Sequence, residues 1–335
     1  MRRLLAGFLL SAVLATGPAH AETCAPLRLL DQIPLVPVNG GSSMLVPVKI
    51  DGVDKFMVFD TGGAASSVTR ALATELGLAV HPNLRAGALF DAYGDASRDM
   101  TTVRDFKLGH QDVSDAEFRI WPNPYLETAD PRLAGVLSRD QLLQYDVDAD
   151  FPAHILKLFS PDHCEGNILY WKADAVAISN FDTRGNHFNI MATLDGKELH
   201  AIIDSGAGVS ILTADSARRF FGITADSPGM SESATLTKSA QYPVYQHQFS
   251  ELDFGGVAVK RPVIAIWPDM LNRTVDRSLQ NTGNRAVPMS FGVRPAQMII
   301  GMDILSKLHM YIASREHRIY FSSGVTGKDG PAAPP

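Results

Sequence analysis

One short pattern is written twice in this chain. VFDTGGAASSVT at 58–69 is matched by IIDSGAGVSILT at 202–213. In both, an apolar run ends in an aspartate, a small hydroxyl residue and a glycine, and a second apolar run follows. A shift of 144 residues lays 33–69 on 177–213 without a gap, pairing Asp51-Gly52 with Asp195-Gly196, Asp60 with Asp204 and Gly62 with Gly206. The match continues downstream. TRALATELGL and TADSARRFFGI each open on Thr, carry a helical apolar period and stop at a glycine, Gly77 or Gly222, as short capped helices do. FRIWP at 118–122 answers IAIWP at 264–268, and GVLSRDQLL at 135–143 answers IIGMDILSK at 299–307. A chain that repeats itself over this length folds as two like halves.

The pattern within each half is that of strands. Met44, Val46, Val48 and Ile50 alternate in the first half, and Phe188, Ile190, Ala192 and Leu194 in the second, so each set lines one face of a strand. Asp51-Gly52 and Asp195-Gly196, set between apolar runs, read as two-residue hairpin turns. The fold class expected is mainly β, with two tandem homologous lobes and short helices after each Asp turn. The boundaries expected are 22–165 for the first lobe and 166–323 for the second, with 324–335 a disordered tail. With 335 residues, 45% of them hydrophobic, there is material for a core in each lobe. DVDAD at 146–150 resembles the start of a calcium loop, but Phe151 stands where the loop's sixth-position glycine belongs and Lys157 where its twelfth-position glutamate belongs. A strand with an acidic outer face is the better reading. The second half carries about 17 extra residues between its Trp-Pro pair and its next apolar motif. This polar insert, 271–297, is read as a surface loop, with a lid as the alternative.

The N-terminus has two arginines, an apolar stretch at 4–14 and the small-x-small end Ala19-His20-Ala21. That is a secretory signal peptide, 1–21, cleaved near Ala21. No later segment is apolar for long enough to span a bilayer, so a soluble periplasmic or secreted protein is expected. Net charge is −6 with no basic block, which argues against nucleic acid. The ten histidines form no His-x3-His pattern and the two cysteines no Cys-x2-Cys pattern. His163-Cys164 is a faint metal hint, and neither metal nor cofactor is expected. No Gly-x-Ser-x-Gly elbow or phosphate-binding loop is present, and Ser66, Ser67 and Ser210 are read as capping or filling the turns. Cys24 and Cys164 are the only cysteines of an exported chain. They are expected to pair and tie the N-terminal arm to the junction of the halves.

Phe59-Asp60-Thr61-Gly62 and Ile203-Asp204-Ser205-Gly206, each followed by Val136-Leu137-Ser138 or Ile299-Ile300-Gly301, resemble the two halves of an aspartic peptidase. The flavour is that of bacterial exported retropepsin-like proteins as much as of pepsins. The resemblance implies an acid-protease fold about a pseudo-twofold axis. Asp60 and Asp204 would be the catalytic pair, with Thr61, Gly62, Ser205 and Gly206 supporting it and the two hydroxyls cross-bonding to the opposite lobe. It also places a flap over the cleft at LFDAYGDASRD, 89–99, with Tyr93 and Gly94 near the tip, the alternative being an exposed tyrosine in a solvent loop. Ser138 departs from the family pattern, which has glycine there. The chemistry explains the residue types on its own terms. Hydrolysing a peptide without metal or covalent nucleophile needs a general base and a general acid. Two adjoining carboxylates share one proton and supply both, as is general for aspartic proteases. The substrate expected is an extended peptide or protein, held in the manner of an added strand. The protein is taken to act as a monomer. No removable inhibitory segment is expected in the mature protein, since only 22–32 is left before the repeated unit. A bilobal module that binds peptide or a cell-envelope partner without cutting it is the alternative. Gly63 and Ala207, the third residues after each Asp, offer no side-chain donor to the carboxylates. That shifts the expected working maximum up to roughly pH 4–6.5.

Overall fold

The computed structural model describes residues 24–38, 41–83, 87–91, 95–122, 124, 126, 130, 132–183, 186–236, 243–268 and 296–323. Tyr93, Gly94 and all but the last two residues of the insert at 271–297 lie outside them, as do the signal-peptide and tail segments.

Each half opens on the hairpin its Asp-Gly pair announces. Met44–Ile50 pairs with Val53–Phe59, and Asn189–Leu194 with Lys197–Ile203. Asp51 and Gly52 have φ of 45° and 85°, Asp195 and Gly196 of 43° and 75°, the left-handed pair that a two-residue turn requires. The same aspartates fasten the hairpin to a third strand. Asp51 Oδ1 accepts from the Asp105 N–H at 2.8 Å, and Asp195 Oδ1 from the N–H groups of Ser250 and Glu251 at 2.8 Å each. The alternating residues read from the sequence face inward as expected. Val46, Ile50, Phe188 and Leu194 have no exposed surface.

The two lobe sheets share one plan. In the first, Leu133–Leu137 runs parallel to Val53–Phe59 and antiparallel to Ser67–Val68, which runs parallel to Gln111–Ile120. In the second, Met298–Ile300 runs parallel to Lys197–Ile203 and antiparallel to Ile211–Thr213, which runs parallel to Val263–Trp267. The first sheet closes on itself because Met44–Ile50 also pairs with Asp99–Leu108. A helix follows each Asp turn. Arg70–Glu75 is capped by Thr69, whose Oγ1 accepts from Leu72 N–H at 3.1 Å, and Ala214–Phe221 by Thr213, accepting from Ser216 N–H at 3.2 Å. Gly222 ends the second in the left-handed conformation.

A third sheet draws on both halves. Its strand order is Leu29–Pro34, Ile155–Phe159, Asp146–Asp150, Leu308–Ala313, Arg318–Ser323, Ala177–Asn180, antiparallel throughout. Three strands from each half meet at the central pair of Asp146–Asp150 with Leu308–Ala313, so the pseudo-twofold axis passes there. The disulfide between Cys24 and Cys164 joins the segment before the first edge strand to the loop beyond Phe159, with Cα atoms 4.8 Å apart. It forms as the sequence led us to expect.

This sheet corrects one expectation. DVDAD is a strand, but its acidic face is not an outer one: Asp146, Asp148 and Asp150 are 0, 1 and 6% exposed. Alternation does set the three carboxylates on one face, but donors from neighbouring strands and from the following loop cover it. Asp146 accepts from His163 Nε2 at 2.5 Å, Ser314 N–H at 2.8 Å and Tyr311 O–H at 3.1 Å. Asp148 meets His309 Nε2 at 2.6 Å and accepts from the Tyr170 hydroxyl, which accepts in turn from Lys157 at 2.9 Å. Buried carboxylates are tolerated when so partnered. His163 is engaged here, and Cys164 in the disulfide, so the faint metal hint dissolves.

Candidate active site

Asp60 and Asp204 each sit one residue beyond the end of a lobe strand. Their N–H groups donate to Leu137 O and Ile300 O, both at 3.0 Å. Each carboxylate folds back on its own turn. Asp60 Oδ1 accepts from Gly62 N–H at 2.9 Å and Gly63 N–H at 2.8 Å; Asp204 Oδ1 accepts from Gly206 N–H at 2.8 Å and Ala207 N–H at 2.9 Å. The turns then lock across the axis. Thr61 Oγ1 donates to Ile203 O at 2.9 Å and accepts from Ser205 N–H at 3.1 Å, while Ser205 Oγ donates to Phe59 O at 2.8 Å and accepts from Thr61 N–H at 3.0 Å. Both hydroxyls are wholly buried. They are long-range bonds, between positions 142 to 146 residues apart, so they hold one lobe to the other at the level of the aspartates.

The glycines set how closely the turns approach. A Cβ on Gly62 would fall 2.1 Å from Asp204 Cγ, and one on Gly206 would fall 2.6 Å from Asp60 Cγ. Only a residue without a side chain fits either place. The two carboxyls are therefore neighbours and hydrogen-bond to each other. Burial raises Asp60 well above the usual carboxylate range, and the charge of Asp204 and the bond to it push further the same way, against the Gly63 and Gly62 N–H groups. Burial also raises Asp204, opposed by the bond from Asp60, by the Ala207 and Gly206 N–H groups and by His187. Two buried, adjoining carboxyls, both raised by burial, thus favour one proton shared between them.

Ser138 shows how the departure from glycine is accommodated. A Cβ on Gly63 would fall 2.1 Å from Ser138 Oγ, whereas in the second lobe a Cβ on Gly301 would fall 2.9 Å from Ala207 O and 2.5 Å from Val209 O. The first lobe has Gly63 against Ser138 and the second Ala207 against Gly301, so the side-chain volume has changed sides of one contact.

Three residues of the site escaped the sequence reading. Asp140 and Asp303 lie in the first turns of the short helices Arg139–Leu142 and Met302–Leu305. Ser66 donates its hydroxyl to Asp140 at 2.6 Å and accepts from Ser138 N–H; Ser210 donates to Asp303 at 2.7 Å and accepts from Gly301 N–H. Their signal was present, since SRD and GMD place an aspartate at equivalent points of both halves. Burial raises both carboxyls. The third is His187, whose Nδ1 lies 2.6 Å from Gly62 O.

At the candidate flap, Leu89–Phe90 pairs with Ala96–Ser97, and Arg119 anchors the base by donating to Gly87 O and Ser97 O. Among the described residues no group of three or more His, Cys, Asp or Glu is placed to hold a metal ion, and no helix is long and apolar enough to cross a membrane.

The aspartyl protease family model matches residues 46–140 and 190–304, a span that contains both Asp turns and both downstream elements. This chain belongs to the aspartyl protease family. The crystal structure of aspartic proteinase from Irpex lacteus is similar, with a TM-score of 0.50 at 11% identity over 90% of this chain and 99% of that one. At that identity the likeness shows the fold. No curated protein matches the chain. An aspartyl protease of the pepsin and retropepsin kind, with two β lobes, is therefore the frame in which the geometry of Asp60 and Asp204 is to be understood.

Proposed function

We propose that this aspartyl protease is an exported endopeptidase that hydrolyses peptide bonds with water activated between Asp60 and Asp204. The observation that carries the reading is the juxtaposition of the two carboxyls on turns locked by Thr61 and Ser205. Asp204 is the ionised partner and takes a proton from the water as its oxygen attacks the scissile carbonyl carbon. Asp60 gives its proton to the carbonyl oxygen, leaving a neutral gem-diol. On collapse the C–N bond breaks, the departing nitrogen takes the proton from Asp204, and a gem-diol hydroxyl returns one to Asp60. The pair ends in its starting state, so no group must be reset by a further reactant.

Peptide binds extended between a lobe 22–165 and a lobe 166–323, with the 89–99 segment, in which Leu89–Phe90 and Ala96–Ser97 pair as strands, closing over it. Residues 1–21 direct export, and the enzyme works as a monomer in the periplasm or outside the cell. The Cys24–Cys164 disulfide supports an oxidising compartment. Digestion of an unfolded protein by the purified enzyme, followed by mass spectrometry of the fragments, tests the reading. Internal cleavage that disappears in Asp60→Asn is expected. Capture of uncut peptide by wild type and variant alike would instead identify a binding module.

A further inference from the structure

His187 comes from the second half, just ahead of Asn189–Leu194, yet its side chain ends on the first half's Asp turn. Nδ1 lies 2.6 Å from Gly62 O, so Nδ1 carries the hydrogen and donates. The receiving residue is the one packed most closely against the partner carboxyl, with its Cα hydrogens facing Asp204 Cγ. The related bridge in the other direction has no charge to offer. Ser42 donates its hydroxyl to Gly208 O at 3.2 Å from an exposed position. Of these two bridges, only the one from His187 carries a titratable group.

We propose that His187 is a positioning residue of the dyad that holds the Gly62 turn against Asp204 and, once protonated, keeps Asp204 ionised at the acid end of the working range. This rests on the peptidase reading above. Among the described residues, the ionisable groups that act on the imidazole are Asp204, at the end of Lys197–Ile203, and Arg139, at the start of the short helix Arg139–Leu142. Asp60 belongs to the turn His187 grips. Burial lowers the imidazole below its usual value; the Gly62 carbonyl and Asp204 pull it up, and Arg139 pushes it down. His187 is therefore neutral at neutral pH and gains its charge only as the medium turns acid, where a cation beside Asp204 opposes protonation of that carboxylate. Nδ1 carries its hydrogen in both states, so the grip on Gly62 persists throughout.

His187→Asn keeps an N–H donor at the place of Nδ1 and loses the charge. In kcat/KM against pH, its acid limb is expected to move up by about one pH unit, with the alkaline limb unmoved. His187→Ala, which loses the grip as well, is expected to lower kcat across the profile. A second measurement does not depend on turnover. The imidazole of His187, followed by NMR, is expected to titrate at lower pH in Asp204→Asn than in wild type, because the coupling is reciprocal. An acid limb unmoved in His187→Asn, or an imidazole midpoint indifferent to Asp204→Asn, would overturn the proposal. A wild type that cuts nothing would sink the peptidase reading alone, and the imidazole midpoint would still decide the coupling.

Discussion

At the scale of the residue, the site is built from groups that are costly to keep. Ionising Asp60 is harder in the folded protein than in the unfolded chain, because burial and Asp204 raise its pKa. That ionisation costs the folded state nothing below the unfolded value of about 3.9 and costs progressively more as pH rises through the folded one. Asp60→Asn removes the cost. Its melting temperature is expected to exceed that of wild type at pH 7, by an amount equivalent to about 1 kcal/mol, and to match it near pH 3. Calorimetry across that range checks the claim, and a variant less stable at pH 7 would contradict it. The aspartates, the hydroxyls and the glycines were all legible in the sequence because each is written twice. His187 was not. Its partner is a carbonyl on the other half, the matching place in the first half holds Ser43, and one histidine without a repeated counterpart leaves no pattern.

At the scale of the element, each Asp turn is supported from beneath by the strand and short helix that follow it. The exchange between Gly63 with Ser138 and Ala207 with Gly301 makes this measurable. Gly63→Ala would drive a methyl into Ser138 and is expected to destabilise the protein by about 2 kcal/mol, within the range for overpacking. Adding Ser138→Gly reproduces the second lobe's arrangement and is expected to recover most of the loss, a coupling that chemical denaturation of the two single variants and the double one would reveal. Additive losses would mean the two residues do not share the contact. Elements whose register follows from period and turn chemistry were readable: the Asp-Gly hairpins, the Thr-capped helices, the downstream apolar strands. The acidic face of Asp146–Asp150 was misjudged for a physical reason. Period 2 fixes which residues share a face but not what covers that face, and the covering histidines, tyrosines and lysine come from positions 157 to 170 and 309 to 311.

At the scale of the whole molecule, two lobes meet on one six-stranded sheet. That sheet was not legible, because the duplication says that two halves exist and not how they join. Its first edge strand is fastened by the Cys24–Cys164 bond, which closes a loop of 140 residues. The chain-entropy figure for so long a loop is on the order of 5 kcal/mol, an upper value that ignores strain. Reduction is expected to lower the denaturant midpoint while leaving the lobes folded at 25 °C, and Cys24→Ser to do the same; an unchanged midpoint would show that the arm adds nothing to the joint. In the proposed mechanism function depends on that joint, since each lobe supplies one carboxylate and neither can be acid and base at once. The most direct test is therefore kcat/KM of wild type and Asp204→Asn on an internally quenched peptide across pH 3 to 8. The expected result is a bell with its maximum at roughly pH 4–6.5 for wild type, and a variant folded but slower by on the order of 10³-fold at every pH. A variant within a few-fold of wild type would show that the chemistry does not run through the pair.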